Sequence, residues 1–164
     1  MCMMTRNKNN RWIGLTVLFV LLVCVLPADA DAYRDLYADT ADALTPHTGR
    51  NWMLLFIDSD QNHTTGWEGY DFVVNLDVAD NTTSLHRLTD GWNPERVATI
   101  AYAASGNQLE LAVPRAALGL TADCPVTLDF KWADNIQKRG DVTEFFLSGD
   151  VAPERRFKYR YTEQ

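Results

Sequence analysis

Oxygen-bearing side chains are concentrated in one short stretch of the sequence, residues 58–71. Asp58, Asp60 and Asn62 occupy alternate positions, and in a tight loop this spacing aims their oxygens at one point. Ca²⁺ binds about 6–8 oxygens from carboxylates, amides and backbone carbonyls, so the stretch predicts a calcium site. The remaining ligands are expected from Thr65 or Thr64, through the backbone, and from Glu68 or Asp71.

The same stretch can also be interpreted as a solvated turn. Asp, Asn and Gly are common turn residues because their side chains or backbone freedom satisfy local geometry without any ion. The pattern is not that of an EF-hand loop, since His63 stands at the turn-glycine position and Gly69 at the closing-glutamate position. Both interpretations stay open from the sequence alone.

Aromatic side chains near polar groups suggest a second kind of site, one that stacks sugars. A flat ring offers its π-face to the C–H face of a pyranose, while a few polar groups fix the hydroxyls. The alternative is that tryptophans fill the core: this is favoured for Trp52 and Trp132, which are in phase with apolar strand residues, and is equally open for Trp67 and Trp92. The expected sugar-binding residues are Trp67, Tyr70, Trp92, Asn93, Trp132 and Asn135, with Arg96 as a further polar group.

Catalysis has weaker support. Glycoside hydrolysis needs two carboxyl groups about 5–10 Å apart, and no spacing in the sequence pairs the candidates Glu68, Asp71, Asp134 and Glu144. The histidines His47, His63 and His86 are far apart in sequence and form no metal-binding pattern. We therefore expect the protein not to be an enzyme.

The elements that must position these residues are short strands separated by Gly, Asn, Asp and Pro turns. Residues 108–113 alternate cleanly, with Leu109, Leu111 and Val113 on one face. No long helix is predicted, so the fold class is all-β: an antiparallel β-sandwich resembling a jelly roll. The predicted strands are 52–57, 70–76 with an extension to 78, 83–89, 97–103, 108–113, 126–132, 144–148 and 156–161, with one helical turn at 115–120.

In the last predicted strand, Lys158 and Arg160 alternate with Phe157, Tyr159 and Tyr161. Such alternation predicts that the basic residues form a solvated strand face.

The N-terminal residues 1–30 resemble a secretory signal peptide. A basic start precedes an apolar run at 12–26, and the pattern Ala28-Asp29-Ala30 marks an expected cleavage site. This predicts a secreted or periplasmic protein; the alternative is an uncleaved membrane anchor, although the run is shorter than the roughly 20 residues of a spanning helix. Residues 31–50 form a polar lead-in, and residues 51–164 form the β-domain.

The charge balance restricts the kinds of partner that the protein is expected to bind. Without residues 1–30 the chain has 12 Lys+Arg and 21 Asp+Glu, a net charge of −9 that repels phosphate backbones and argues against nucleic acid. Cys124 is then the one remaining cysteine, so no internal disulfide is expected.

Three segments carry a family resemblance: WMLLFIDSDQNHTTGWEGYDFVVN, GNQLELAVPRAALGL and DFKWADNI. Together they resemble the β-sandwich modules related to family 9 carbohydrate-binding modules and to DOMON-like domains of secreted bacterial proteins. The resemblance implies a jelly-roll-like sandwich with a non-catalytic role and a sugar, haem or no known ligand. Haem would want an axial Met or His, and Met53 is the one methionine after residue 30. The family's opening strands are either missing here or replaced by residues 33–43.

Together these patterns predict a secreted, non-catalytic module that binds a polysaccharide or another glycan, with calcium as its expected ion. A structural or interaction module without a small ligand is the alternative.

Overall fold

The computed structural model of the protein describes residues 16–17, 33–40, 43–44, 52–121 and 125–163. The expected signal peptide or anchor lies outside these residues except for Thr16 and Val17, as do Cys124, His47 and much of the polar lead-in. No helix among the described residues is long and apolar enough to cross a membrane.

The described chain is built mainly from strands. They are β1 (Thr16–Val17), β2 (Tyr33–Asp39), β3 (Leu54–Asp58), β4 (Phe72–Ala79), β5 (Thr82–Leu88), β6 (Pro94–Ser105), β7 (Gln108–Pro114), β8 (Thr127–Asp134), β9 (Asp150–Ala152) and β10 (Tyr159–Thr162). One 3-10 turn, Arg115–Leu118, follows β7, and one helical turn, α1 (Glu144–Leu147), lies between β8 and β9.

These strands form one antiparallel sheet in the order β1-β2-β7-β6-β5-β4-β3-β8-β10, with β9 also paired to β8. The sheet curls into a half-barrel, and the all-β antiparallel fold class predicted from the sequence is confirmed. The stretch 33–43 contributes β2, which pairs with β7 along its whole length.

The two faces of the sheet bury two separate groups of side chains. The main core is formed by one face of nearly every strand and includes Leu55, Trp132 and Leu111. The second core lies on the other face and consists of Leu54, Phe56, Trp67, Tyr70, Val73, Leu88, Ala133, Ile136 and Phe145. Strand β3 is covered on both faces, which explains why its sequence is continuously apolar rather than alternating.

The register places the end of β3 opposite a charged part of β8. Asp58 pairs with Asp129, and Phe56 pairs with Lys131. The face that holds the second core therefore continues into carboxylates and lysines at this end of the sheet.

The predicted strand at 144–148 is wrong, because these residues form α1. Local side-chain bonds stabilise the turn: the Thr143 amide and hydroxyl donate to Asp141 Oδ1, and the Gln137 amide donates to Glu144 Oε2 at 2.8 Å. Such short-range bonds compete with strand pairing. The helical turn predicted after β7 is confirmed as Arg115–Leu118.

Several predicted boundaries differ from the structure, and two of them lie next to the second core. Strand β4 begins at Phe72, because Tyr70 instead forms an isolated two-residue bridge with Trp67. Strand β10 begins at Tyr159, and residues 153–158 form a loop that crosses the second core.

Candidate functional site

The loop between β3 and β4 brings three carboxylates together. One oxygen each from Asp58, Asp60 and Asp71 lies within 4.8 Å of the others. The loop is closed at its base, where the Asp71 amide donates to the Ile57 carbonyl at 2.8 Å. The sequence prediction of convergent carboxylates is therefore met by three of its residues.

The other predicted ligands take different positions. Asn62 Oδ1 accepts from the amide and the hydroxyl of Thr64, so its side chain serves a local turn. The Thr65 hydroxyl donates to the Asn62 carbonyl at 2.9 Å and lies 3.3 Å from Asp60 Oδ1. Glu68 is exposed and lies outside the carboxylate cluster. The solvated-turn interpretation thus describes the tip of the loop at residues 60–65, because Asp60 Oδ1 also accepts from the Asn62 amide at 2.8 Å.

Asp58 is the buried member of the cluster, with only 1% of its surface exposed. Its Oδ2 accepts from Lys158 Nζ at 2.5 Å, whereas Oδ1 accepts no hydrogen bond of standard geometry from the described residues. Burial raises the pKa of this carboxyl above its usual range, against the opposing effects of the Lys158 ammonium and, more weakly, of the Gln61 backbone amide. A buried carboxylate oxygen without a partner is destabilising, and a bound cation would satisfy it.

The chemistry of the donor set suits a hard cation. All three clustered groups are carboxylates, which are ligands for Ca²⁺ or Mg²⁺, and the cluster contains no thiol or imidazole of the kind that binds Zn²⁺. Asp71 is held in place because its Oδ2 accepts from the Ser59 amide at 2.8 Å and from the Ser59 hydroxyl at 3.0 Å. The residues present therefore fit a divalent cation.

Lys158 lies where the loop meets the C-terminal segment. Its ammonium donates to Asp58 Oδ2 and to the Gly69 carbonyl, both at 2.5 Å, and lies 4.8 Å from the centre of the Tyr70 ring. The prediction that Lys158 belongs to a solvated strand face is wrong, because its side chain is only 15% exposed. Tyr159 and Tyr161 pack against the main core, as the alternation predicts, whereas Phe157 and Lys158 both contact Tyr70 of the second core.

An open cleft of about 480 Å³ lies beside this lysine. Its lining includes Phe157, which is 38% exposed and stacks on Tyr70 with ring centres 5.9 Å apart. Asp129, another lining residue, is held in a two-point ion pair by Arg160, at 2.7 and 3.0 Å. The lining residues are Asp58, Gln61, His63, Glu68, Asp129, Phe157 and Lys158.

The aromatic residues predicted to stack sugars are placed differently. Tyr70 and Trp132 are enclosed, with 0% and 1% exposure, and Trp67 is also buried. A buried ring presents no open face, so these three residues do not form the predicted platform. Trp92 is half-buried and packs edge-on against Trp67, with ring centres 5.0 Å apart.

These rings are buried because the second face of the sheet is apolar near Phe56 and would otherwise be exposed to solvent. Trp67 and Tyr70 supply this cover from the loop, with ring centres 5.4 Å from that of Phe56 in each case. The core interpretation of Trp52 and Trp132 is confirmed by their place in the main core.

The two predicted amide residues lie at the surface. Asn93 is exposed next to β6, and Asn135 donates from Nδ2 to the Ser148 carbonyl at 3.0 Å. Neither lines the cleft.

Two of the candidate catalytic carboxylates make separate local bonds. Glu144 accepts from the Gln137 amide and the Ser148 hydroxyl near α1, whereas Asp71 belongs to the β3–β4 loop. His86 is buried beside Asp77, with Nε2 3.5 Å from Oδ2, and burial lowers its pKa. Met53 is buried in the main core.

Sequence reasoning missed five residues of the cleft: Gln61, His63, Asp129, Phe157 and Lys158. One signal was present, because Asp129 and Lys131 alternate with the apolar residues of β8 just as Lys158 and Arg160 alternate near β10. Antiparallel pairing of two such strands would predict opposite charges side by side.

Comparisons of the chain with models of protein families, with curated proteins and with solved structures find no match. The resemblance described above stays a prediction, and the geometry of the site carries the functional interpretation.

Proposed function

We propose that this protein is a non-catalytic binding module whose β3–β4 loop holds a divalent cation, with calcium as the ion. The observation that supports this most directly is the convergence of Asp58, Asp60 and Asp71, together with the buried Oδ1 of Asp58, which accepts no hydrogen bond of standard geometry from the described residues. Asp58 and Asp71 lie at the two ends of the loop, so an ion between them would join the end of β3 to the start of β4. Its role is to fix the loop that forms one wall of the cleft.

Rigidity matters for binding because ordering a loop at the moment of association reduces affinity. Gln61, His63 and Glu68 all reach the cleft from this loop. A cation that restrains the loop would therefore prearrange three of the seven lining residues.

Thermal melting with excess calcium and then with EDTA tests the cation. At about 100 times its Kd, an ion that binds only the folded state adds about 2.7 kcal/mol, which raises the melting temperature of a domain of this size by about 10 °C. The variant Asp60→Asn should lose most of this shift, because it removes one of the three clustered negative charges. Asp60 is exposed, so its replacement leaves the cores intact.

Asp80→Asn is the matched control, since Asp80 is an exposed aspartate in the turn between β4 and β5. It removes the same charge away from the loop and should keep the full shift. A cooperative melt that is identical in calcium and EDTA would contradict the cation proposal.

A glycan is the second candidate, as the ligand of the cleft. The observation that favours it is Phe157, a half-exposed ring with one face supported by Tyr70 and with polar donors and acceptors around it. This is the arrangement of an apolar platform with a few convergent polar groups. The proposed contacts are thus Phe157, Gln61, His63 and Glu68, in place of the buried tryptophans.

Retention on a panel of insoluble polysaccharides tests this candidate. Phe157→Ala should abolish retention, whereas Phe146→Ala should not, because Phe146 is 70% exposed on α1 and does not line the cleft. Equal retention of both variants would refute the cleft as the glycan site. A wild-type protein that melts cooperatively and is retained on no glycan would instead favour the structural or interaction module.

The proposed setting is outside the cytoplasm, supported by the basic start, the apolar run at 12–26 and the Ala28-Asp29-Ala30 pattern. N-terminal sequencing of the exported protein should find Asp31 as its first residue. Recovery of an intact N-terminus in the membrane fraction would favour the anchor.

A further inference from the structure

Lys158 is the one cation that contacts the carboxylate cluster among the described residues. It donates a hydrogen bond to Oδ2 of Asp58 and not to Oδ1. The lysine and an added ion can therefore bind the same carboxylate through different oxygens. Its position is further fixed by the Gly69 carbonyl and the Tyr70 ring. We therefore expect the Lys158 ammonium to keep this position when an ion is bound.

The charges near the cluster can be counted from the ion pairs. Asp58, Asp60 and Asp71 supply three negative charges, and Lys158 supplies one positive charge. Asp129, the partner of Asp58 across the sheet, is neutralised by Arg160. The three carboxylates and Lys158 thus carry a net charge of −2, and Arg87 is a further cation that lines the pocket shared by Asp60 and Asp71.

We infer that Lys158 is a built-in counter-charge of the proposed cation site, which limits the affinity of that site for cations. This inference rests on the proposed function and adds the means by which the chain regulates the same site. The side chains of Asp58 and Lys158 are 1% and 15% exposed, so solvent screens their interaction with an ion less than it would at the surface.

Removal of the lysine charge should strengthen cation binding, and more so for an ion of higher charge. At a separation of several ångströms, a single charge changes the affinity for a divalent ion by about tenfold even when solvent screening is strong. Because Coulomb energy is proportional to ionic charge, the same change for a trivalent ion is about 30-fold. The ratio of the two gains in affinity, for the trivalent and for the divalent ion, distinguishes an electrostatic effect from a general change in loop packing.

The experiment is isothermal titration of the full chain with Ca²⁺ and with Tb³⁺, for the wild type and for Lys158→Met. Methionine keeps an apolar side chain against Tyr70, and Lys158→Gln retains a hydrogen-bond donor if the methionine variant does not fold. Lys138→Met is the control, because Lys138 is exposed and paired with Asp141 near α1, away from the cluster. The expected result is tighter binding of both ions by the Lys158 variant, with the larger gain for Tb³⁺, and no change for Lys138→Met.

Each outcome decides between the two proposals. Cation binding by the wild type with unchanged or weaker binding by the Lys158 variants would overturn the inference and leave the proposed function standing. An equal gain for the two ions would also overturn it, because a change in loop packing would then explain the result. Binding by the Lys158 variants alone would support the counter-charge but overturn the proposal that the wild-type loop holds a cation, and binding by neither protein would overturn both proposals.

Discussion

The buried lysine of β8, Lys131, makes the stability of the protein depend on pH in an unusual direction. Lys131 is 2% exposed, and its ammonium donates to the carbonyls of Pro153 and Arg156 at 3.0 and 2.8 Å. It also lies 5.1 Å from the centre of the Phe145 ring, and it forms no ion pair with the described residues. Burial lowers the pKa of Lys131 from 10.5 to about 8.

The sign of the effect follows from the number of protons bound in each state. Between about pH 8 and pH 10.5 the unfolded chain keeps the proton on Lys131 and the folded chain releases it, so the free energy of unfolding rises with pH. A lowering of the pKa from 10.5 to about 8 corresponds to about 2 kcal/mol of added stability between about pH 7 and about pH 9.5.

Urea unfolding over this range, for the wild type and for Lys131→Met, measures the effect. The variant lacks the ionisable group, so the difference between the two unfolding free energies should change by about 2 kcal/mol across the range. Tyr102, whose pKa burial raises to about 12, contributes equally to both proteins. Parallel pH profiles would refute the assignment of Lys131 as a destabilised buried ammonium.

Three further predictions concern packing and local bonds. Trp132→Ala should lower the free energy of unfolding by about 3–5 kcal/mol, measured by urea unfolding, because its ring is enclosed in the main core. Gly66→Ala should be more destabilising than Gly106→Ala in the same assay: both glycines have a φ of 62°, but only at Gly66 would a Cβ meet a backbone atom, the Tyr70 carbonyl oxygen, at 1.9 Å. The Gly106 change should cost about 1–2 kcal/mol for its left-handed backbone alone, and an equal loss at both positions would contradict the steric argument. Carboxyl NMR should give Asp141 a pKa of about 2, because the Thr143 hydroxyl and Lys138 bond its charged form; its contribution to stability is then lost as pH falls from about 4 to about 2, and a pKa near 4 would contradict the bonds seen.

Strands with one buried face could be predicted from the sequence because their patterns are local. In β7 the alternation of Leu109, Leu111 and Val113 with polar residues shows both the strand and its buried face. The same holds for Leu128, Phe130 and Trp132 of β8, all of which lie in the main core. The β-class therefore follows from residue periodicity.

The helical turn α1 could not be predicted from the same kind of pattern. Its residues Phe145, Phe146 and Leu147 are apolar and resemble a strand, but the turn is determined by bonds to Asp141 and Glu144. Side-chain bonds of this kind are visible only when the backbone geometry is known.

The carboxylates of the candidate site could be predicted from the sequence, but the residues that pack against them could not. Alternate acidic residues in a loop indicate converging oxygens, and Asp58, Asp60 and Asp71 do converge. The contribution of Lys158 depends on pairing across 100 positions in sequence, which no local pattern reports. The burial of Trp67 depends equally on the existence of a second core.

The cover on both faces of β3 has a consequence for errors in folding. Leu54, Leu55, Phe56 and Ile57 are all buried, so a slip of β3 by one residue against its neighbours would exchange apolar side chains for apolar side chains. Hydrophobicity alone therefore discriminates weakly between the native and the slipped alignment. Asp58 removes the ambiguity, because a one-residue slip would turn its carboxylate away from Lys158 and into the main core without a partner. The residue proposed to bind the cation thus also fixes the register of β3 against its neighbours.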